Sequence, residues 1–525
     1  MDFGLLFQSF GNILFSPSVL LVVFIGVAGG ITIGALPGLT ATMGVALLVP
    51  FTFGRPPTES LAMLLGIYCG GMYGGSISAI LIRTPGTPAA AATVLEGYPL
   101  GQKGEAGRAL SMALFASFCG GMIGALIMTF LSPLISGVAL QFGPVEYFAL
   151  AIFGLSVIIS ISGESLVKGV MAGVFGLLLA TVGFDPISGF PRFTLGRVEL
   201  LEGPPFIPTL IGLFAVSEIF NSIEKMGVIK PLKASIDRYL PSWADIKASA
   251  RNILKSSLIG TFIGAIPGAG GDIAAFVSYG EAKRSSKHPH KFGTGVIEGV
   301  AATEAANNAC SGGAMIPLLS LGVPGDAVTA VLLGAFIVQG MQPGPLLYIE
   351  HLDVVYNIFA SIIVANIVML ILGIIGIRFF ARAILVKREI LNPVIFVLSL
   401  VGSFAMRQNI FDVWLTLAFG VIGWLMMRAK FPLSPILLAL ILGPMAEANL
   451  RRALTISQGS PAIIFSRPIA NVLMILAILS LAVGIFNQRR IMRLMAEQAA
   501  KEASADGSSA GNAATGDSES AAADR

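Results

Sequence analysis

The residues with chemical potential in this chain gather at four Pro-Gly pairs set inside apolar runs: Pro37-Gly38, Pro85-Gly86, Pro267-Gly268 and Pro324-Gly325. A proline in a helix interior removes an N–H and strikes the carbonyl one turn back, at a cost of about 3 kcal/mol. Each pair therefore ends one helix and begins another. The N–H groups exposed at such a break carry partial positive charge and attract carboxylates without a basic side chain. The exposed carbonyls, with neighbouring side-chain oxygens, suit a hard monovalent cation. Oxygen-bearing side chains stand at every break: Thr40 and Thr42, Thr84 and Thr87, Asp272 just past Gly270-Gly271, and Asp326 just past Gly325. Glu304, Asn307 and Asn308 lie in the apolar run between the last two breaks. Thr and Asn also serve as interhelical hydrogen-bond glue, whereas ionisable groups inside a span cost several kcal/mol on the larger scales and about 3 on the smaller.

From this pattern we assign carboxylate binding to Pro37, Gly38, Thr40, Thr42, Pro85, Gly86, Thr87, Pro267, Gly268, Gly270, Gly271, Pro324 and Gly325. Coupling-cation binding, with Na+ as the ion, falls to Asp272, Asn307, Asn308 and Asp326. Glu298 and Glu304 are balanced between function and an ordinary place at a helix end or cavity. Arg83 either forks onto a substrate carboxylate or reaches from a helix end to the headgroups.

These breaks need membrane helices to hold them, and composition supplies that class. Of 525 residues 55% are hydrophobic and only 12% charged, with a mean hydropathy of +0.84, where soluble domains carry about 25% charged residues. The expected fold is an all-α polytopic membrane protein in a lipid bilayer. At membrane depth a broken helix is tolerated only where protein or a water-filled cavity satisfies the freed backbone. The net charge of +4 resides in a few loops and gives no support for a nucleic-acid partner. Cys69, Cys119 and Cys310 lie in apolar runs without CxxC spacing and read as small buried hydrophobes. Met1 to Pro17 has no basic n-region, so no cleavable signal peptide is assigned. A GxxxxGK[ST] phosphate loop is absent, which argues against a built-in ATPase. His288, His290 and His351 fall in loops without a metal-ligand pattern.

The breaks form two copies of one unit. Gly264-Ala-Ile-Pro-Gly268 answers Gly34-Ala-Leu-Pro-Gly38 at an offset of 264 − 34 = 230, and Pro324-Gly325 answers Pro85-Gly86 at 324 − 85 = 239. We match Gly312-Gly313 to Gly74-Gly75. The loop after the first break holds Arg55 in copy one and Lys283, Arg284, Lys287 and Lys291 in copy two. The loop after the second break holds Lys103 and Arg108 in copy one, and no Lys or Arg from Met341 to Asp353 in copy two. By the positive-inside rule the copies face opposite ways, the inverted-repeat arrangement of secondary transporters whose discontinuous helices or re-entrant hairpins meet near the midplane.

The organisation is then a first repeat at 1–108, with breaks at 34–40 and 83–88, and connecting spans at 109–224. A basic cytoplasmic surface segment follows at 225–251, and the second, inverted repeat occupies 252–345, with breaks at 264–272 and 322–326. C-terminal spans fill 346–490, and a disordered cytoplasmic tail rich in Ala, Ser and Gly ends the chain at 491–525. Spans are expected at about 109–131, 140–161, 165–183, 206–220, 353–377, 391–406, 410–427, 432–446 and 463–487, with Glu164 and Lys168 as a helix-surface pair. This count puts Arg451 and Arg452 on the outer side, against the rule, so either 432–446 is re-entrant or the rule is weak there.

Four stretches in order, Gly34-Ala-Leu-Pro-Gly-Leu-Thr-Ala-Thr42, Gly74-Gly-Ser-Ile-Ser-Ala-Ile-Leu-Ile-Arg-Thr-Pro-Gly-Thr-Pro88, Gly264-Ala-Ile-Pro-Gly-Ala-Gly-Gly-Asp272 and Gly322-Val-Pro-Gly-Asp326, resemble the large membrane subunit of the tripartite tricarboxylate transporters. The likeness spans about residues 1–490. It implies a bacterial inner-membrane importer of citrate or other carboxylates, not an enzyme, driven by a Na+ or H+ gradient without a bound cofactor. It further implies a small four-helix membrane subunit and a periplasmic solute-binding protein as partners. An anion-selective channel or a stand-alone transporter for another small anion is the alternative. A channel needs a continuous polar stripe on several spans, where here polar clusters sit at breaks. An intramembrane enzyme needs a nucleophile with a base, and all three histidines are in loops.

Overall fold

The computed structural model describes residues 2–161, 165–224, 238–386 and 388–486. Glu164 of the expected Glu164–Lys168 pair, residues 225–237 of the basic segment, and the tail with Arg489, Arg490 and Arg493 lie outside the described residues.

The first unit, taken past the expected bound at 108 because α6 corresponds to α16 at the offset of the second break, contains α1 (Phe3–Leu14), α2 (Pro17–Ala35), α3 (Ala41–Leu48), α4 (Pro57–Ile82), α5 (Ala91–Gln102) and α6 (Ala106–Ala139). Then come α7 (Pro144–Ile161) and α8 (Leu166–Ala180), a two-residue antiparallel pairing of β1 (Gly183–Phe184) with β2 (Pro191–Arg192), and α9 (Phe206–Leu210), continued through a π-helical stretch, Ile211–Val216, into α10 (Ser217–Glu224). The second unit contains α11 (Trp243–Gly264), α12 (Gly270–Ser285), α13 (Ile297–Leu321), α14 (Ala327–Val338), α15 (Leu347–Glu350) and α16 (Leu352–Ala383). The chain closes with α17 (Arg388–Arg407), α18 (Ile410–Arg428), α19 (Ser434–Ile456) and α20 (Pro468–Phe486). Among the described residues eight helices are long and apolar enough to cross a membrane. Large side chains such as Ile478 and Phe486 on α20 and Phe379 on α16 are exposed, a surface suited to a bilayer. The protein is an all-α polytopic membrane protein.

Glycine stripes set the packing inside each unit. Gly26, Gly30 and Gly34 recur every fourth residue on one face of α2, and a Cβ on each would stand 2.3, 2.4 and 2.4 Å from the carbonyl oxygens of Met63, Ile67 and Gly71 on α4. The two helices run parallel with their backbones in contact, the close approach that small residues permit where lipid supplies no hydrophobic drive. In the second unit Gly260 and Gly264 of α11 rest on Ala306 and Cys310 of α13 in the same way. The units then interlock by exchange: α6 packs on α13, with Gly120 and Gly124 against the carbonyls of Ala305 and Ala309, and α16 packs on α4.

Three expectations change. The glycine match shifts by one residue, because Gly74 rests on Ile31 and Gly313 on Thr261, positions that correspond at the offset of the first break. Gly75 is therefore answered by Ala314. The run expected at 432–446 is one longer helix, since α19 continues through Pro444 to Ile456. Arg451, at its far end, forms ion pairs with Asp185 and Glu447, so that charge is compensated locally. Finally, α11 opens at Trp243, with the Ser242 hydroxyl accepting from Asp245 N–H, so the last part of the basic segment is helix that leads into the second repeat.

Candidate functional site

The breaks of each unit are built against one another. α2 stops at Ala35, the chain turns through Gly38 at φ 90°, and Thr40 caps α3 by accepting from Met43 N–H at 3.2 Å. α4 stops at Arg83, which adopts a left-handed conformation at φ 58°. The chain then doubles back until Gly86 lies on the end of α2, so close that a Cβ there would stand 1.8 Å from Gly34 O. Thr87 starts the next helical turn, accepting from Ala90 N–H at 3.4 Å. The second unit repeats this construction: Gly268 turns at φ 81°, Gly322 ends α13 in the left-handed region at φ 73°, and a Cβ on Gly325 would stand 2.4 Å from Gly264 O. Here the two breaks are also bonded, Gly268 N–H donating to Gly325 O at 2.8 Å. That amide is spent inside the protein, as is Gly86 N–H in a long bond to Gly75 O at 3.4 Å. The amides left for an anion are those of the first helical turns, at Thr42 on α3 and at Gly271 on α12, since the amides of Asp272 and Ile273 turn to the Asp272 carboxylate.

The units meet where α4 crosses α13. Asn307 Nδ2 donates to Met72 O at 3.0 Å, which turns its Oδ1 toward α12. That oxygen is fully buried, accepts no hydrogen bond, and lies 2.8 Å from where a Cβ on Gly271 would stand. Asn308 Nδ2 faces Cys69 O and Met369 Sδ, both at 3.5 Å, and its Oδ1 is likewise buried without a partner. Asp272 is exposed on the first turn of α12, and its Oδ1 borders Gly270, across from the Cβ of Asp326. Asp326 is buried and committed: it caps α14 by accepting from Thr329 N–H at 2.7 Å, and it accepts the Tyr68 hydroxyl at 2.5 Å.

Asp272, Asn307 and Asp326 are thus brought together around Gly270-Gly271, with Asn308 one residue further along α13. Their oxygens fit a hard monovalent cation. Asp272 is exposed and the buried Asn307 oxygen is unpartnered, whereas the bonds of Asp326 already hold α14 in place. Thr40, Thr42 and Thr87 belong to the other unit and supply neutral oxygens. Gly38 lies by Glu218 of α10, and Arg388 Nη2 donates to Pro37 O at 3.5 Å. Arg83 is exposed with its guanidinium over the Tyr98 ring at 5.8 Å, which favours the helix-end reading of that residue.

Three features were not foreseen. Glu96 on α5 is buried, accepting from Tyr279 OH at 2.8 Å and from the amides of Gly293, Gly295 and Val296 at 2.5, 2.7 and 2.7 Å, so it fastens α5 to the start of α13. Gly293 and Gly295, at φ 95° and 96°, shape that cradle, and only their spacing before an apolar run could have hinted at it. Glu304 joins α13 to α5 and α6. A cavity of about 1060 Å³ opens at Gly322, between α14, α7 and α19, with Tyr147, Arg407, Asn449 and Arg452 on its walls. No local pattern announces it, since it is formed by elements far apart in the chain.

Two repeated units, each with two helix breaks folded onto each other inside a polytopic bundle, have the discontinuous helices that secondary transporters use. The model of the Tripartite tricarboxylate transporter TctA family matches residues 20–438, and the chain belongs to that family. Two proteins of Agrobacterium vitis are similar. One, described as an uncharacterized 52.8 kDa protein in the TAR-I ttuC' 3' region, is 38% identical over 473 residues, which is 90% of this chain and 94% of that protein. The other, an uncharacterized protein in the TAR-II ttuC' 3' region, is 36% identical over 234 residues, 45% of this chain and 97% of its own length. No solved structure matches. Family membership makes the chain a transporter subunit that acts with other subunits, consistent with a non-enzymatic role.

Proposed function

We propose that the chain is the large membrane subunit of a binding-protein-dependent secondary transporter importing tricarboxylates or related carboxylates, coupled to a Na+ or H+ gradient. The observation that carries this reading is the unlike equipment of two like tips. The first-turn amides of α3 and α12 can each receive a carboxylate, while α12 carries an acid of its own on that turn, Asp272 where α3 has Thr42, and has the unpartnered buried Asn307 oxygen beside it. Anion and cation sites that share one crossing point are what symport requires. The partners are a small four-helix membrane subunit and a periplasmic solute-binding protein, and the location is a bacterial inner membrane with a cytoplasmic C-terminus. Support for the orientation comes from Lys103 donating to Thr294 O and from Arg108 paired with Asp245, which gather the basic loops of both units at one end. At the opposite end Arg192 and Arg451 are compensated by Asp185 and Glu447.

The test is uptake of labelled citrate and other carboxylates into proteoliposomes holding both membrane subunits, with the binding protein added. Accumulation that needs an imposed ion gradient and the binding protein supports the reading. Passive dissipation of the carboxylate gradient makes the protein a channel, and uptake indifferent to the binding protein makes it a stand-alone carrier.

A further inference from the structure

Glu304 lies outside the cation cluster described above, one helical turn before Asn307 and Asn308 on α13, and is fully buried. Its Oε1 accepts the Thr93 hydroxyl of α5 at 2.5 Å and its Oε2 accepts the Ser117 hydroxyl of α6 at 3.0 Å. Thr93 also bonds Thr303 Oγ1 at 2.9 Å. Among the described residues no Lys, Arg or His interacts with it. The ionisable group that faces it is Tyr73 of α4, whose buried hydroxyl has no hydrogen-bond partner; α5 and α6 offer it only neutral hydroxyls, and no charge from α11, α12 or α14 acts on it. A carboxylate left alone at such depth is costly. Both its partners, however, are hydroxyls, which can donate to a carboxylate or turn to accept from a carboxylic acid.

The placement gives this chemistry a consequence. α13 belongs to the second unit, whereas α5 and α6 belong to the first, so Glu304 spans the seam along which the two units must shift against each other in alternating access. The equivalent position in the first unit, at the offset of the second break, is Leu65, so the inverted repeat did not require an acid here. We propose that Glu304 is a proton-binding site: the carboxylate takes one proton from water reaching the seam, the new O–H donates to Thr93 or Ser117, and this change in hydrogen bonding sets how tightly α13 holds α5 and α6. The proton site itself is a property of the chain, while its part in coupling rests on the transport reading above.

Infrared difference spectroscopy of the purified full-length protein across a pH series tests the site without transport. A protonated-carboxyl band that disappears as pH rises, and that is missing from Glu304→Gln, is expected. Glu304 showing no protonated band, or a band that pH does not change, overturns the proposal. Should Glu304→Gln fail to fold, Thr93→Val gives the same decision, because losing a hydroxyl that favours the charged form should raise the midpoint by roughly one pH unit; an unmoved midpoint overturns it. In proteoliposomes with all subunits, Glu304→Gln should lose pH-gradient-driven citrate accumulation about tenfold or more yet keep exchange of labelled for unlabelled citrate. Equal loss of both activities points to a packing role and overturns the coupling. Wild-type vesicles that transport no carboxylate would refute the transport reading while leaving the spectroscopic result intact.

Discussion

The two repeats agree in backbone where they differ in chemistry. Gly34 and Gly264 lie at the ends of α2 and α11, Gly86 and Gly325 press onto those ends, and Arg83 and Gly322 make the same left-handed turn. At the corresponding side chains the copies part: Thr42 answers Asp272, Thr87 answers Asp326, Tyr68 answers Asn307, and Leu65 answers Glu304. The first unit is neutral along this path and the second is acidic. Steric demands at a helix–helix contact leave glycine no substitute, so they persist in both copies. Side chains that face the crossing are free to specialise, and under the proposed function the cation falls to the second unit.

The comparison breaks most readily at the contacts between paired breaks. Gly86→Ala and Gly325→Ala should each abolish folded protein, since a Cβ would meet backbone oxygen at 1.8 and 2.4 Å; overpacking of this kind costs typically 1–3 kcal/mol or more. Size-exclusion profiles in detergent decide it, and a normal profile for either variant would show that the two contacts are not equivalent.

Side-chain exchange at one matched position should give the next largest effect. Asp272→Asn should lower ion-coupled uptake by about tenfold or more, with insertion intact, because a charged ligand is replaced by a neutral one. Thr42→Val should change uptake by only about threefold, the value of a weak neutral hydrogen bond. Measuring both across a cation series sharpens the assignment, and normal uptake by Asp272→Asn sinks it.

The left-handed pair predicts opposite signs. Arg83→Gly relieves roughly 1 kcal/mol of backbone strain, partly offset by the lost stacking on Tyr98, so thermal stability should stay level or rise slightly. Gly322→Ala both acquires that strain and meets Pro343 O at 2.6 Å, so it should fall. Melting of the purified variants tests the sign.

The smallest effect belongs to the β1–β2 connection, which has no copy in the other unit. The amides of Ser188 and Ile187, then Arg451, hold the Asp185 carboxyl well below the usual carboxylate range. A depressed folded-state value contributes stability at pH above the unfolded value and loses it as pH falls through the folded one. Proteolysis of this connection should therefore be unchanged from neutral pH down into the ordinary carboxylate range and rise only in stronger acid. Asp185→Asn should be cut somewhat faster at neutral pH; equal rates there would deny the carboxylate a role in holding the turn.

Much of this protein is written in short-range terms. Hydropathy located the spans, since the cost of an unsatisfied peptide group in lipid is paid locally; the expected run at 410–427 and α18 at Ile410–Arg428 differ by a single residue. Pro-Gly pairs marked all four breaks, whereas prolines not followed by glycine, such as Pro133 and Pro444, are carried inside α6 and α19. An offset in the residue numbers exposed the repeat, and the charge of the flanking loops led us to expect the second copy to face the other way. What remained undecided was whatever depends on neighbours distant in the chain. Asp326 and Asp272 look alike as sequence, yet only in the fold is one enclosed by Tyr68 and Thr329 while the other stays open. The burial of Glu96 on three amides, the pairing of Arg451 with Asp185, and the placement of Glu304 at the seam between the units are decided by contacts 197 to 266 residues apart or by elements of opposite repeats. Hydrogen bonding and desolvation act over a few ångströms of space, and that proximity is a property of the folded chain.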